Sequence, residues 1–371
     1  MKKNLSTALA MTLAAALLAA TPVVSHAQSA VTLYGIVDEG ITYTNNQSGH
    51  ANYQLQSSVA SASRWGLRGA EDLGGGMKAV FVLENGFDPS TGNLGNNGRI
   101  FGRQAFVGLS SKYGTVTMGR QYDEVVDMLA PIDASLKWGI YFAHAGDVDN
   151  TSGSVRINNS VKYVSPNISG ITVGALYSFG GQPGRFSSQS TSSAGISYTR
   201  GPLYVAAAYM FMKNPFAAGF DSLAPKNIIY SAYVPSAQSW RVTGAGGSYA
   251  IGPVTAGFEY TSTQFAKGFA GNDVNFDNYE ANVGWLVRPD IQLGVAYVYT
   301  HGKIDATGAA PIYRSIDLSA DYFLSKRTDV YLAGVVLKAG GSATQAQITT
   351  LSAASSTASQ VALRVGIRHK F

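Results

Sequence analysis

From Ala30 to Phe371 apolar and polar residues alternate in runs of about ten, broken by turn-forming residues, the period-2 signature of strands with two unlike faces. Nothing else in the sequence limits the possible folds so strongly. Val361, Leu363, Val365, Ile367, His369 and Phe371 share one parity of the last run, and Ala362, Arg364, Gly366, Arg368 and Lys370 share the other. Ile171, Val173, Ala175, Tyr177 and Phe179 oppose Thr172, Gly174 and Ser178, and Ile291, Leu293, Val295, Tyr297 and Tyr299 oppose Gln292, Gly294 and Thr300. In the run from Ser315 to Tyr322 the acids Asp317 and Asp321 sit in mid-strand on the polar parity. Each strand therefore has one greasy face and one wet face.

The breaks between runs fall into two classes. Tight turns occur at Leu73–Gly76, Ser111–Gly114, Ser165–Gly170, Arg200–Pro202, Ile251–Pro253, Arg288–Asp290 and Leu324–Asp329. Long polar connections cover Thr44–Ala62, Asp88–Gly98, Gln121–Ser154, Gly181–Ser192, Lys213–Ala237, Thr263–Asn275, His301–Pro311 and Ala339–Ala358. Seven turns alternating with eight long connections join sixteen strands, with short links at one end and long links at the other. A soluble sandwich has no reason to sort its connections this way, whereas a bacterial outer-membrane barrel does. In hydrocarbon every backbone N–H and C=O must be paired internally, so strands cross a membrane only as a closed barrel without edges. The predicted fold is all-β, a 16-stranded antiparallel transmembrane barrel whose apolar faces meet lipid. Aromatic residues near strand ends, among them Tyr177, Phe179, Tyr209, Phe211, Tyr297, Tyr299 and Tyr322, suit interfacial girdles.

The start of the chain supports export. Lys2 and Lys3 precede an apolar core from Leu9 to Ala20, and Ser25-His26-Ala27 forms a small-x-small cleavage site. Residues 1–27 are thus read as a signal peptide cut between Ala27 and Gln28, and 28–371 as a single barrel domain. Loss of Lys2 and Lys3 lowers the formal net charge from +5 to +3, too small an excess to suggest nucleic acid. With no cysteine, neither disulfides nor thiolate-bound metal can hold the fold, and charged residues at 13% leave little soluble-protein surface.

Several segments resemble the Gram-negative general porins, and among them the trimeric porins of beta-proteobacteria. They are Ser29-Ala30-Val31-Thr32-Leu33-Tyr34-Gly35-Ile36-Val37-Asp38, Ser63-Arg64-Trp65-Gly66-Leu67-Arg68-Gly69-Ala70-Glu71-Asp72-Leu73-Gly74, Gly102-Arg103-Gln104-Ala105-Phe106-Val107-Gly108-Leu109 and Gly366-Ile367-Arg368-His369-Lys370-Phe371. The resemblance implies a homotrimer in the outer membrane, in contact with lipid and lipopolysaccharide, with the third outer loop folded inward. It implies a water-filled channel for passive diffusion of ions and small hydrophilic solutes. The residues agree with the inward loop, because the longest connection, Gln121 to Ser154, carries apolar anchors such as Val125, Val126, Leu129, Ile140 and Phe142 that a solvated loop would not need. A sixteen-stranded barrel leaves an aqueous lumen that something must narrow.

The resemblance also places a basic cluster on the wall at Arg64, Arg103 and Arg156, and acids on the loop at Asp127 and Asp133, with Asp123 and Glu124 nearer its entry. Arg68, Lys78, Glu84 and Lys162 are expected as further lumen charges, since opposed rows of charge set ion selectivity. Lys137, where another acid would be expected, and the net charge favour anions. Phe371, with His369, resembles the terminal signal read by the barrel-assembly machinery. No cofactor is expected: the histidines lack a ligand-forming spacing, and neither Gly-x-Ser-x-Gly nor a phosphate loop occurs. An enzyme reading therefore has no support, and neither has a surface anchor. A solute-specific channel is the closest alternative.

Overall fold

A computed structural model of the chain describes residues 30–218 and 227–371, so the leader and the Ala27–Gln28 cleavage site lie outside the described residues. Seventeen strand segments form one sheet. They are β1 (Ala30–Gln47), β2 (His50–Ser57), β3 (Arg64–Gly74), β4 (Met77–Gly86), β5 (Gln104–Ser111), β6 (Gly114–Gln121), β7 (Ile157–Val164), β8 (Ile171–Ser178), β9 (Thr191–Arg200), β10 (Leu203–Lys213), β11 (Ser239–Ile251), β12 (Val254–Phe269), β13 (Asn272–Arg288), β14 (Ile291–Ile304), β15 (Pro311–Phe323), β16 (Thr328–Gly341) and β17 (Ser359–Lys370). β2 and β3 pair with the outer and inner halves of β1, respectively, and are two pieces of one interrupted strand. The barrel thus has sixteen antiparallel strands.

It closes where β17 pairs with β1, from Ile36 opposite Lys370 to Thr44 opposite Ala362. The seam is locked from inside. Arg364 and Asp38, both fully buried, lie 3.1 Å apart, and the Tyr331 hydroxyl donates to Asp38 at 2.8 Å while accepting from Arg364 Nε at 2.7 Å. Such a buried pair persists only when its remaining polar atoms are satisfied, and the Gly40 and Gln56 carbonyls take further guanidinium protons. The backbone of Phe371 continues the ladder by exchanging hydrogen bonds with Gly35. Gly35 is required there because a Cβ would run into the Phe371 ring.

The two faces separate as the alternation demands. Leu363, Val365 and Ile367 are exposed on the outside, and so are Val31, Leu33, Ile41, Val107, Leu109, Ile316, Leu318 and Leu332. An apolar belt of this kind is a lipid-facing surface. Ala362, Arg364 and Arg368, of the opposite parity, are buried in the interior. No helix among the described residues is long and apolar enough to cross a membrane.

Two long connections are shorter than the sequence suggested. β1 and β2 extend to a turn at Ser48-Gly49, and β12 and β13 meet at Ala270-Gly271, each turn with φ positive at both residues. This is the hairpin turn that matches strand twist. In the first hairpin the polar residues Asn52, Gln54 and Gln56 line one face, and in the second the buried side chains are the apolar Phe265, Val274 and Phe276, the reverse of the barrel's usual parity, so the segments read as loops.

The third outer loop, residues 122–156, enters the barrel. Its first helix, α1 (Glu124–Leu129), packs on β8 to β11, and a second, α2 (Ala134–Trp138), faces β13 and β14. At its far end the Ile140 amide donates to the Val59 carbonyl at 2.8 Å, in the gap between β2 and β3, and Tyr141 bonds to Thr42 at 3.1 Å. The wall makes room for the loop with glycines: an added Cβ would lie 2.6 Å from Met128 at Gly195, 2.6 Å from Leu129 at Gly244 and 2.5 Å from Trp138 at Gly294. By covering the wall from β8 round to β1, the loop leaves the passage against β3 to β7.

Candidate functional site

The wall on that side is basic, with Arg64 and Arg103 partly buried and Arg156 buried. Arg64 opens β3, and Arg103 and Arg156 stand just ahead of β5 and β7, so neighbouring strands raise all three to one level beside the loop's entry. Arg103 Nε donates to Glu84 Oε1 at 2.8 Å, and Arg64 Nε lies 3.6 Å from Glu84 Oε2. Tyr34 donates its hydroxyl to the same carboxylate at 3.0 Å. Two guanidiniums share one carboxylate, and Arg156 joins the same cluster through the Tyr122 hydroxyl, which leaves a local excess of positive charge. Arg68, exposed below them, sits 5.3 Å from the Tyr34 ring centre, and Lys78 is exposed and paired in register with Asp72.

Tyr122 joins the wall to the loop and was not among the residues the sequence singled out. Its hydroxyl accepts from Arg103 Nη2 at 2.9 Å and from Arg156 Nη2 at 2.7 Å, and the Arg156 guanidinium stacks 4.9 Å from its ring centre. Burial pushes the phenol up, but Arg103 and Arg156 together outweigh it and hold it below its ordinary value. A tyrosine directly after the run Gly119-Arg120-Gln121 was the only available signal.

The loop acids divide. Asp127, with 41% of its side chain exposed, forms an ion pair with Lys162 of β7. Glu124 is buried with its Oε1 3.5 Å from the same ammonium, and the Lys162 ammonium also donates to the Tyr122 carbonyl at 3.0 Å. Burial, followed by the charges of Asp127 and Asp123, outweighs Lys162 and raises Glu124 to about 7. Asp123 and Asp133 do not present their carboxylates to an open lumen, contrary to expectation. Asp123 caps α1 through the Val125 amide at 2.8 Å and accepts from Asn150 at 2.8 Å. Burial pushes it up to about 6. Asp133 caps α2 through the Ser135 amide at 2.6 Å and is fully buried. The physical reason is that short helices inside a barrel have no water to satisfy their first N–H groups, so acids at their starts serve as caps. Lys137 is also turned inward, donating to the Ile132 carbonyl at 2.6 Å and to Asn282 at 2.9 Å. His369 lies on the outer parity and meets the Thr328 hydroxyl at 2.8 Å.

A closed barrel with a lipid-facing belt, narrowed by an inward loop, defines a membrane diffusion channel. The Gram-negative porin family matches residues 14–341. An outer membrane porin protein of Bordetella pertussis is 31% identical over 97% of this chain and 99% of its own length, and outer membrane porin protein 32 of Delftia acidovorans is 31% identical over 93% and 95%. The solved structure of the anion-selective porin from Comamonas acidovorans superposes with a TM-score of 0.76 at 28% identity, covering 93% of this chain and all of that one. The chain belongs to the Gram-negative porin family. It is an outer-membrane porin, a passive channel for ions and small hydrophilic solutes.

Proposed function

We propose that the mature chain, residues 28–371 after removal of 1–27, acts as an anion-preferring homotrimeric pore, and that Arg64, Arg103 and Arg156 set the preference opposite Asp127. The observation that carries this reading is the shared carboxylate: three guanidiniums at the narrow passage converge on Glu84 and Tyr122. Lys162 is matched by Asp127, so the excess charge belongs to the arginine wall. In a narrow passage with low-dielectric walls, one sign of fixed charge concentrates counter-ions. Solutes pass by diffusion with no chemical step. The similarity to the anion-selective porin of Comamonas supports the preference. An outer membrane protein of Vibrio cholerae solved in trimer form, with TM-score 0.69 and 16% identity, shares the fold. The trimer would sit in lipopolysaccharide, and Phe371 and His369 would serve the barrel-assembly machinery.

Single-channel recording in a planar bilayer under a potassium chloride gradient tests the reading. Wild type should reverse on the anion side, and Arg64→Ala should move the reversal potential toward cations. A cation-preferring wild type would remove the arginine wall from the explanation.

A further inference from the structure

Behind the third loop, away from the passage, the interior holds a cluster of ionisable side chains that transport does not use. Asp133 and His144 come from the loop, Glu280 from β13 and Glu259, its register partner, from β12, and all four are fully buried. One ligand atom from each of Asp133, His144 and Glu280 lies within 4.8 Å of the others.

Each of these three residues is held by the protein on one side only. Asp133 Oδ1 accepts from the Ser135 amide, while Oδ2 has no hydrogen-bond partner among the described residues. Glu280 Oε1 accepts from the Ala134 amide at 2.9 Å and Asn282 at 2.5 Å, and Oε2 has none. His144 Nδ1 is bound to Asp149 Oδ2 at 2.6 Å, and Nε2 stands 3.4 Å from Glu280 Oε2 without a hydrogen bond. Both oxygens of Glu259 also lack partners among the described residues. Buried polar atoms are ordinarily satisfied, and here the unsatisfied ones belong to the same three residues whose ligand atoms cluster, with Glu259 paired in register beside Glu280.

We propose that this space is a divalent metal site, with Asp133, His144 and Glu280 as ligands and Glu259 beside them as a fourth donor or a charge balance, that fastens the inward loop to β13. The donor set selects the ion. An imidazole with carboxylates suits zinc and similar first-row ions, whereas calcium takes six to eight oxygens. Asp149 supplies the support such a site requires: a carboxylate on Nδ1 orients the imidazole and directs Nε2 at the metal. Metal–oxygen and metal–nitrogen distances of about 2.0–2.2 Å set a tetrahedral edge of about 3.3 Å. Closure therefore asks the most distant donors to approach by little more than a rotamer adjustment. Asp317 of β15, buried nearby, contributes a further carboxyl oxygen, Oδ1, without a hydrogen-bond partner among the described residues.

The test uses the folded full-length protein, stripped with EDTA and titrated with zinc chloride against a chromophoric chelator, and in parallel with cobalt chloride. About one zinc per chain and a visible cobalt d–d spectrum are expected. Affinity should fall at least 10-fold in Asp149→Asn and further in His144→Ala, whereas His50→Ala, in the exposed first hairpin, should bind as wild type. Heat-modifiable migration on gels checks folding of each variant. If His144→Ala does not fold, wild-type stoichiometry and the cobalt spectrum decide. The absence of a saturable site in wild type, or undiminished binding in folded His144→Ala, would overturn the proposal.

Discussion

Replacing Glu84 with Gln keeps the shape of the side chain and its contacts with Tyr34 and Arg103 but removes the one carboxylate that Arg64 and Arg103 share. The fixed charge of Arg64, Arg103, Arg156 and Glu84 then rises from +2 to +3. An ion passing about 6 Å from the altered group feels about 0.7 kcal/mol per unit charge in water. Physiological salt, with a screening length of about 8 Å, halves this to about 0.3 kcal/mol. Anions gain what cations lose, so the anion-to-cation permeability ratio should rise by about threefold. Reversal potentials of Glu84→Gln and wild type in the same salt gradient measure it, and the difference should shrink in 1 M salt, where screening acts within about 3 Å. An unchanged ratio, or a shift toward cations, would mean that permeating ions do not sense this cluster.

Three further outcomes follow from the geometry. Glu124, raised to about 7, is charged above that pH and neutral below it, so anion preference should grow as pH falls through about 7; the same neutralisation relieves the burial penalty of the folded loop until the unfolded carboxyl also protonates near 4.5, and Glu124→Gln should flatten the selectivity profile. Arg364→Met strands the Asp38 carboxylate at the seam and should destabilise the barrel by about 3–5 kcal/mol, seen as a lower temperature of gel-shift unfolding, with much of the loss recovered in Arg364→Met/Asp38→Asn. Gly294→Leu drives a side chain into Trp138 and should cost about 1–3 kcal/mol while raising current noise as the loop loosens, and unaltered traces would show that this contact does not hold the loop.

Most of the barrel was legible because lipid outside and water inside impose opposite demands on alternate residues. A register slip would turn Leu363, Val365 and Ile367 of β17 inward, so the pattern is written redundantly. The first hairpin was not legible because Asn52, Gln54 and Gln56 form a wetted polar ladder above the bilayer that has the composition of a loop. The arginines of the wall could be found through the resemblance to the porin family, with Arg64 and Arg156 also beside residues of clear polar parity. The loop acids could not be sorted, since whether Asp127 faces Lys162 while Asp133 caps a helix depends on how the loop winds from β8 round to β1. The same distance in sequence hid His144 and its partner Asp149, whose neighbours Glu280 and Thr261 respectively lie more than a hundred residues away.

The glycines opposite Met128, Leu129 and Trp138 have a consequence for how the bore could be altered. Where the wall lacks a side chain, the loop sinks to the backbone, so the free cross-section is set by gaps in the cylinder as much as by the insert itself. A methyl group added at one of these gaps would lift the insert toward the arginine side and tighten the opening without touching a residue that borders it. Pore width in this molecule can therefore be tuned from behind.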